Sequence, residues 1–497
     1  MKFEKTKKIK RLVIFSLLFS PIIFVAFLLL LTSAEIPVEI KDQIIPVAVA
    51  EKIDGSLSGI KNNRFRHSQS GLYELYVEGS PIEIGRYEGV LTKELIVRQE
   101  EIFVDMLNRF VPGKYSRFMM KKFIYLFNKS MQKEISEEYL SEIFGISSVM
   151  EDDFAGLGNP YFRVLNYHAA HDIGHMMTNL NLVGCTAFSV KGEKSVDGDL
   201  ITGRNFDFFI GDRFAKDKLI SFIKPRKGIP FAMITWGGMI GVVSGMNSSG
   251  LSITLNAAES EVPSKTATPV ALVAREMLQY ADTIEKAYEI ARSREIFVSQ
   301  IFFVSSAIDN RSALIEKTPE KTELFYPESD ESAVTNHFTG KLKGSEKHRN
   351  PESLRNSQKR LERVYELIEK EKPLNIEKTV KILRDTKGYG DKQVEPGSET
   401  AINQYVAHHS VVFNNTKKIM FISTSPWQFG EFRAYELEKV FNEFSKLRND
   451  VEISDEELTI PADEFMKSEE FQRVKKSRDD GTFKKDDIRF SKDGLNM

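Results

Sequence analysis

The sequence predicts a layered α+β protein preceded by helical segments. Three observations predict it. Apolar residues recur at helical spacing over 81–150, short β-branched and aromatic runs broken by glycine and asparagine dominate after 185, and strands and helices come in runs instead of alternating. A chain of 497 residues with 41% hydrophobic residues can bury a large core.

In chain order, Lys2, Lys5, Lys7, Lys8, Lys10 and Arg11 precede an almost unbroken apolar run over 12–31. That run is near the roughly 20 residues that span a bilayer as a helix, and exceeds the roughly 7 to 15 of a cleavable signal core. Residues 1–34 are therefore expected to be a cytoplasmic basic flank and a retained transmembrane segment, with the rest of the chain outside the cytoplasm. Thr32-Ser33-Ala34 also offers small residues where a signal peptidase could cut, and the product would then be secreted. Residues 35–71, with Gly55, Gly59 and Lys61-Asn62-Asn63, read as a stalk. Residues 72–184 read as a helical pro-region, from the spacing of Ile82, Ile84, Tyr87, Val90, Leu91 and Leu95, and of Phe118, Met119, Phe123, Leu126 and Phe127.

A domain over 185–466 follows. Strands are expected at 186–190, 200–202, 231–236 and 251–256, then a helix over 269–292 with Ala271, Leu272, Ala274, Met277 and Leu278 as its apolar stripe and Thr268 as N-cap. Runs at 301–305, 313–315 and 322–326 read as a meander. Residues 354–369 and 376–384 read as helices, and 410–413 with 419–424 as a closing hairpin around Asn414-Asn415. The stretch 467–497 is dense in charge and reads as a solvated tail.

Lysine plus arginine (69) nearly balances aspartate plus glutamate (71), so no net field would gather a nucleic-acid backbone. The single cysteine excludes an intrachain disulfide and any cysteine-rich metal site. It stands in Val183-Gly184-Cys185-Thr186-Ala187-Phe188, at the start of an expected strand and directly after a glycine. From there the thiol can attack the preceding carbonyl in an N-to-S acyl shift. Hydrolysis of that thioester would free Cys185 as a new N-terminus, whose α-amine, with a pKa of roughly 7.7 to 8, is suited to act as a general base. Asp197-Gly198-Asp199 is a turn signal that would bring Gly203-Arg204-Asn205-Phe206-Asp207-Phe208 alongside. Arg204 would then favour the thiolate, and Asp207 would hold the α-ammonium group.

Gly-Cys-Thr, a turn and Gly-Arg-Asn-Phe-Asp-Phe together resemble the penicillin acyltransferase branch of the N-terminal-nucleophile (Ntn) hydrolases, related to bile salt and penicillin V hydrolases. Later segments fit the same pattern in order. Residues 241–256 resemble the strand pair that ends in the family's oxyanion-hole asparagine, which makes Asn256 the donor by resemblance. Val334-Thr335-Asn336-His337-Phe338 resembles the segment of the second active-site asparagine, Asn336, and Ser357-Gln358-Lys359-Arg360 that of the supporting arginine, Arg360. His409-Ser410-Val411-Val412-Phe413 and Ser425-Pro426-Trp427-Gln428 fit as well, so the likeness covers most of 73–437. At Arg204 the chain departs from the fungal acyltransferase, which carries glutamine there, and is closer to the hydrolases. The resemblance implies a four-layer αββα sandwich and an autoproteolytic cysteine amidohydrolase or acyltransferase. Its substrate would be a small acyl-amide, its intermediate a thioester, and it would need neither cofactor nor metal. A homo-oligomer is compatible with the sequence.

Two other readings follow from the residues. His168, His171 and His175, with Asp172, share a helical stretch and would suit a metal-dependent hydrolase. A membrane-tethered binding protein that keeps the fold without the chemistry is the third.

Overall fold

The computed structural model describes residues 35–110, 113, 130–151, 154, 158–176, 183–208, 212–258, 266–345 and 351–479. The expected membrane or signal segment over 1–34 lies outside the described residues, as do 480–497 of the tail. Among the described residues no helix is long and apolar enough to cross a membrane.

Two sheets, antiparallel except for one parallel pair in the larger, lie face to face, flanked by helices. The chain opens with a helical turn, α1 (Val38–Lys41), then β1 (Glu51–Asp54), β2 (Leu57–Ile60), β3 (Asn63–His67) and β4 (Tyr73–Gly79). Helices α2 (Pro81–Leu91), α3 (Lys93–Phe110), α4 (Glu137–Ser147) and α5 (Pro160–Met176) precede β5 (Val183–Val190) and β6 (Ile201–Phe208). A short α6 (Asp212–Lys216) leads to β7 (Leu219–Pro225), β8 (Phe231–Thr235), β9 (Ser244–Asn247) and β10 (Leu251–Ala257). Next come α7 (Val270–Tyr280), α8 (Ile284–Ser293), β11 (Gln300–Ser306), β12 (Arg311–Lys317), β13 (Thr322–Phe325) and β14 (Glu331–Val334). The chain continues through α9 (Pro351–Glu371), α10 (Ile376–Leu383), β15 (His409–Asn414), β16 (Ile419–Ser423), β17 (Phe432–Glu436), α11 (Leu437–Glu443), β18 (Asp455–Ile460) and α12 (Glu469–Asp479).

The larger sheet runs β1-β2-β3-β4-β7-β8-β9-β10-β11-β12-β13 and the smaller β14-β5-β6-β15-β16-β17-β18. Strand alternation gives each sheet two apolar faces, and each face finds a partner. Ile220, Phe222, Ile234 and Met246 of the larger sheet share a buried cluster with Val411, Phe413, Met420 and Ile422 of the smaller, and this forms the layer between the sheets. The opposite face of the larger sheet, with Leu251, Ile253 and Leu255, packs on Val273, Ala274 and Met277 of α7. The opposite face of the smaller sheet, with Phe188, Val190 and Val412, packs on Val364, Leu367 and Ile368 of α9 and Val380 and Leu383 of α10. The order helix, sheet, sheet, helix is the layering that the resemblance implied.

Several expectations are corrected. Residues 35–71 are not a free stalk: 51–67 supply β1–β3, because Leu57 and Ile60 are apolar enough to bury and the chain turns back at Gly55 with φ +50°. Nor is 72–184 wholly helical, since β4 pairs in parallel with β7 over seven residues. The helix expected over 269–292 is two, α7 and α8. Ala281 is extended, and Thr283 caps α8 by accepting the Lys286 N–H; Thr268 does not cap α7 but donates to the Glu134 carbonyl. The hairpin β15–β16 does not close the sheet, which continues through β17 and β18. The start of the charged tail is ordered as α12, whose Phe471 and Val474 pack on Tyr405, Trp427 and Phe429.

Candidate active site

Strand β5 carries Cys185, and β6 pairs with it so that Cys185 faces Phe206, Ala187 faces Arg204 and Gly184 faces Asp207. The hairpin that joins them turns at Gly198, whose φ of +74° suits glycine. Side chains alternate across this pair. Ala187 clusters with Ile301, Phe303 and Leu314 of the larger sheet, so Cys185, Arg204 and Phe206 look into the layer between the sheets. Gly184, Thr186, Asn205 and Asp207 lie on the face covered by α9 and α10; Arg360 Nε of α9 donates to Thr186 Oγ1 at 3.0 Å.

The Cys185 thiol is buried and free. Arg204 Nη2 reaches its sulfur at 3.4 Å and donates to Leu255 O at 2.7 Å, while Nη1 donates to Val243 O at 3.2 Å. Those bonds to the facing sheet, together with the Phe206 ring 4.9 Å from the guanidinium carbon, fix the charge beside the sulfur. Burial pushes the thiol up; Arg204 pulls it down, Asp207 pushes it up, and Arg360 and a hydrogen bond from the Ala257 backbone pull it down. In the folded chain desolvation prevails over Arg204, contrary to the thiolate expected from the sequence.

The nitrogen of the same residue is held separately. Cys185 N–H donates to Asn336 Oδ1 at 2.8 Å, and Asn336 Nδ2 donates to Ala257 O at 3.1 Å. Arg360 binds Asn336 Oδ1 as well, and donates to Cys185 O at 3.3 Å and Glu399 O at 2.6 Å. Ser357, one turn before Arg360 on α9, accepts the Asn336 N–H at 2.8 Å and meets His337 Nδ1 at 2.8 Å. Five of the six residues singled out from the sequence thus form one connected cluster with the thiol and its nitrogen. Asp207 is buried one strand away, opposite Gly184, and acts electrostatically on Cys185, Arg204 and Arg360.

Asn256 is placed on β10, and its Nδ2 donates to Thr335 O at 3.2 Å. Its amide therefore braces the Asn336 segment. Sequence reasoning did not single out Ser357, the Ala257 backbone N–H or Thr186. Thr186 is the residue after Cys185, and its hydroxyl was the available signal.

The histidine cluster is corrected. His168 Nδ1 bonds Val164 O at 2.8 Å and Nε2 accepts the Ile240 N–H at 3.0 Å, so both ring nitrogens are used. Burial pushes its pKa down to about 4. Asp172 accepts the Val270 N–H at the start of α7 at 3.0 Å. The side chains of His171 and His175 lie outside the described residues, and among the described residues no three metal-ligating groups converge.

Residues 193–406 match the family model described as acyl-coenzyme A:6-aminopenicillanic acid acyl-transferase. The match takes in Arg204, Asp207, Asn256, Asn336 and Arg360 and begins just after the strand of Cys185. A protein of Archaeoglobus fulgidus described as uncharacterized is 24% identical over 279 residues, which span 52% of this chain and 45% of that one. Among solved structures the chain is similar to the Caenorhabditis elegans ortholog of N-acylethanolamine-hydrolyzing acid amidase (15% identity, 47% of this chain and 93% of that one, TM-score 0.34). It is also similar to penicillin V acylase from Agrobacterium tumefaciens (15%, 48% and 83%, 0.32). A mutant conjugated bile acid hydrolase from Clostridium perfringens gives 14%, 51% and 93%, and 0.35.

Proposed function

We propose that this chain, which carries a domain of the acyl-coenzyme A:6-aminopenicillanic acid acyl-transferase family over residues 193–406, is a self-cleaving cysteine amidohydrolase or acyltransferase of the Ntn type. The observation that carries the reading is the separate anchoring of the two halves of Cys185. Its sulfur lies against Arg204 and its nitrogen against Asn336, both inside the protein.

In this reading Cys185 Sγ attacks the Gly184 carbonyl carbon, the carbon–nitrogen bond breaks, and the nitrogen takes up a proton. Water then hydrolyses the thioester to a Gly184 carboxylate and restores the thiol. The freed α-amine stays on Asn336 Oδ1, where it takes the thiol's proton when an acyl-amide substrate arrives. Arg204 stabilises the thiolate. The Ala257 N–H and Asn256, once released from Thr335 O, would face the oxyanion of the substrate; losing one such donor typically costs about 2.7 to 4 kcal/mol of barrier. Arg360 and Asp207 hold the nucleophile's backbone and its field. The acyl group leaves to water in hydrolysis or to a second amine in transfer. The basic flank and apolar run of 1–34 support a membrane-anchored enzyme that works outside the cytoplasm.

Intact mass and N-terminal sequencing test the reading. The purified chain should give a fragment beginning Cys-Thr-Ala-Phe, and Cys185→Ala should remain one polypeptide without amide turnover. An uncut wild-type chain that hydrolyses acyl-amides at full rate would sink it.

A further inference from the structure

The residue before the nucleophile has a neighbour that the chemistry above does not use. The carboxamide of Gln404 lies against the α-carbon of Gly184: a β-carbon at 184 would stand 2.9 Å from Gln404 Nε2 and 3.3 Å from its Oε1. Gln404 is 1% exposed, and among the described residues its Nε2 has no hydrogen-bond partner. A buried amide N–H₂ without an acceptor is costly, so its retention beside the peptide to be cut calls for a use.

The segment that delivers it is fixed at both ends. Asn403 N–H donates to Asp385 O at 2.8 Å, Asn403 Oδ1 accepts the Tyr405 N–H at 3.0 Å, and His408 N–H donates to Phe206 O at 2.9 Å. Tyr405 takes a φ of +57°, a left-handed conformation that a bulky residue adopts only under constraint. Asn205 Nδ2, on the same face as Gly184, donates to Leu383 O and Ile402 O and holds this segment to the sheet.

The stereochemistry of attack gives the amide a role. Cys185 Sγ approaches the Gly184 carbon from the face between the sheets. As that carbon becomes tetrahedral, its other substituents, the oxygen among them, bend to the opposite face, where Gln404 waits. We propose that Gln404 donates to the oxyanion that forms on Gly184 during self-cleavage. The proposal rests on the self-cleavage reading. The carbon–sulfur bond forms as the carbonyl electron pair moves onto oxygen. When that pair returns, the carbon–nitrogen bond breaks and the Cys185 nitrogen takes the proton that the thiol gave up, leaving a thioester for water to hydrolyse.

The test follows chain splitting of the full-length protein over time by denaturing gel and mass. Gln404→Leu keeps the volume and removes the donor, so splitting should slow about 10²- to 10³-fold, the usual effect of deleting one oxyanion donor. Once split, its turnover per thiol-titrated site should equal wild type. Gln404→Glu donates only when protonated, so its deficit relative to wild type should shrink as pH falls, while that of Gln404→Leu stays constant; a merely structural glutamine would give no such divergence. Wild-type splitting by Gln404→Leu, or a pH-independent deficit in Gln404→Glu, overturns the proposal and leaves self-cleavage standing. A wild-type chain that never splits overturns both.

Discussion

Cys185 lies between two buried guanidinium groups with different tasks. Arg204 acts on the sulfur from the layer between the sheets, and Arg360 acts on the residue's backbone from α9. Burial lowers the pKa of both, yet the charges and carbonyls around them keep the cations supplied with partners. Arg360 spreads its donors over Thr186 Oγ1, Cys185 O, Asn336 Oδ1 and Glu399 O, which requires a planar fork. Arg360→Lys should therefore keep the charge and lose the positioning. A hydrogen bond to a charged group is worth about 1.5 to 3 kcal/mol, so turnover should fall roughly 10- to 150-fold, chiefly in kcat. Steady-state kinetics on the processed enzyme check this, and wild-type kcat would mean that the fork is dispensable.

At the level of elements, the helices outside the larger sheet enclose a charged cluster. Glu88 of α2 is buried beside Glu142 of α4 and Arg275 of α7, and Arg275 donates to both oxygens of Glu142 at 3.2 and 3.1 Å. With that cation committed to Glu142, burial first and Glu142 second push the Glu88 carboxyl up to about 8. The folded protein thus holds the Glu88 proton that the unfolded chain releases above its ordinary value of 4.5. Its contribution to stability is full below that value and is lost as pH rises through about 8. Glu88→Gln should flatten the fall in melting temperature between pH 5 and pH 8, as thermal denaturation at several pH values would reveal. An unchanged slope would place the pH dependence elsewhere, for example at Glu74, pushed up to about 7 by burial, or at Asp172, also pushed up by burial.

Across the whole molecule, a cut between 184 and 185 would not release the N-terminal piece. Strands β1–β4 precede the cut and belong to the larger sheet, where Tyr73–Gly79 pairs with Leu219–Pro225, while α2 to α5 cover the same sheet. The two fragments should therefore elute together in size-exclusion chromatography and part only in denaturant. Separate elution of folded fragments would mean that this shared sheet does not hold them. An anchor at 1–34, if retained, would keep the catalytic fragment at the membrane through the same pairing.

Sequence alone determined the local facts of this protein. Short β-branched and aromatic runs marked most strands after 185, a lone thiol after glycine marked the proposed nucleophile, and ordered motifs marked Arg204, Asp207, Asn256, Asn336 and Arg360 as its candidate partners. It misread 51–67 and 467–479, where too few apolar residues are spread over short segments for periodicity to register, although Leu57, Ile60, Phe471 and Val474 are each buried by distant partners. Only the tertiary structure decided that Asn336 receives the Cys185 nitrogen from 151 residues away and that Gln404 covers Gly184. The first pairing comes from β14 lying beside β5 in the smaller sheet, the second from a loop pinned over that sheet's outer face, and a linear pattern carries no record of which distant residues meet there.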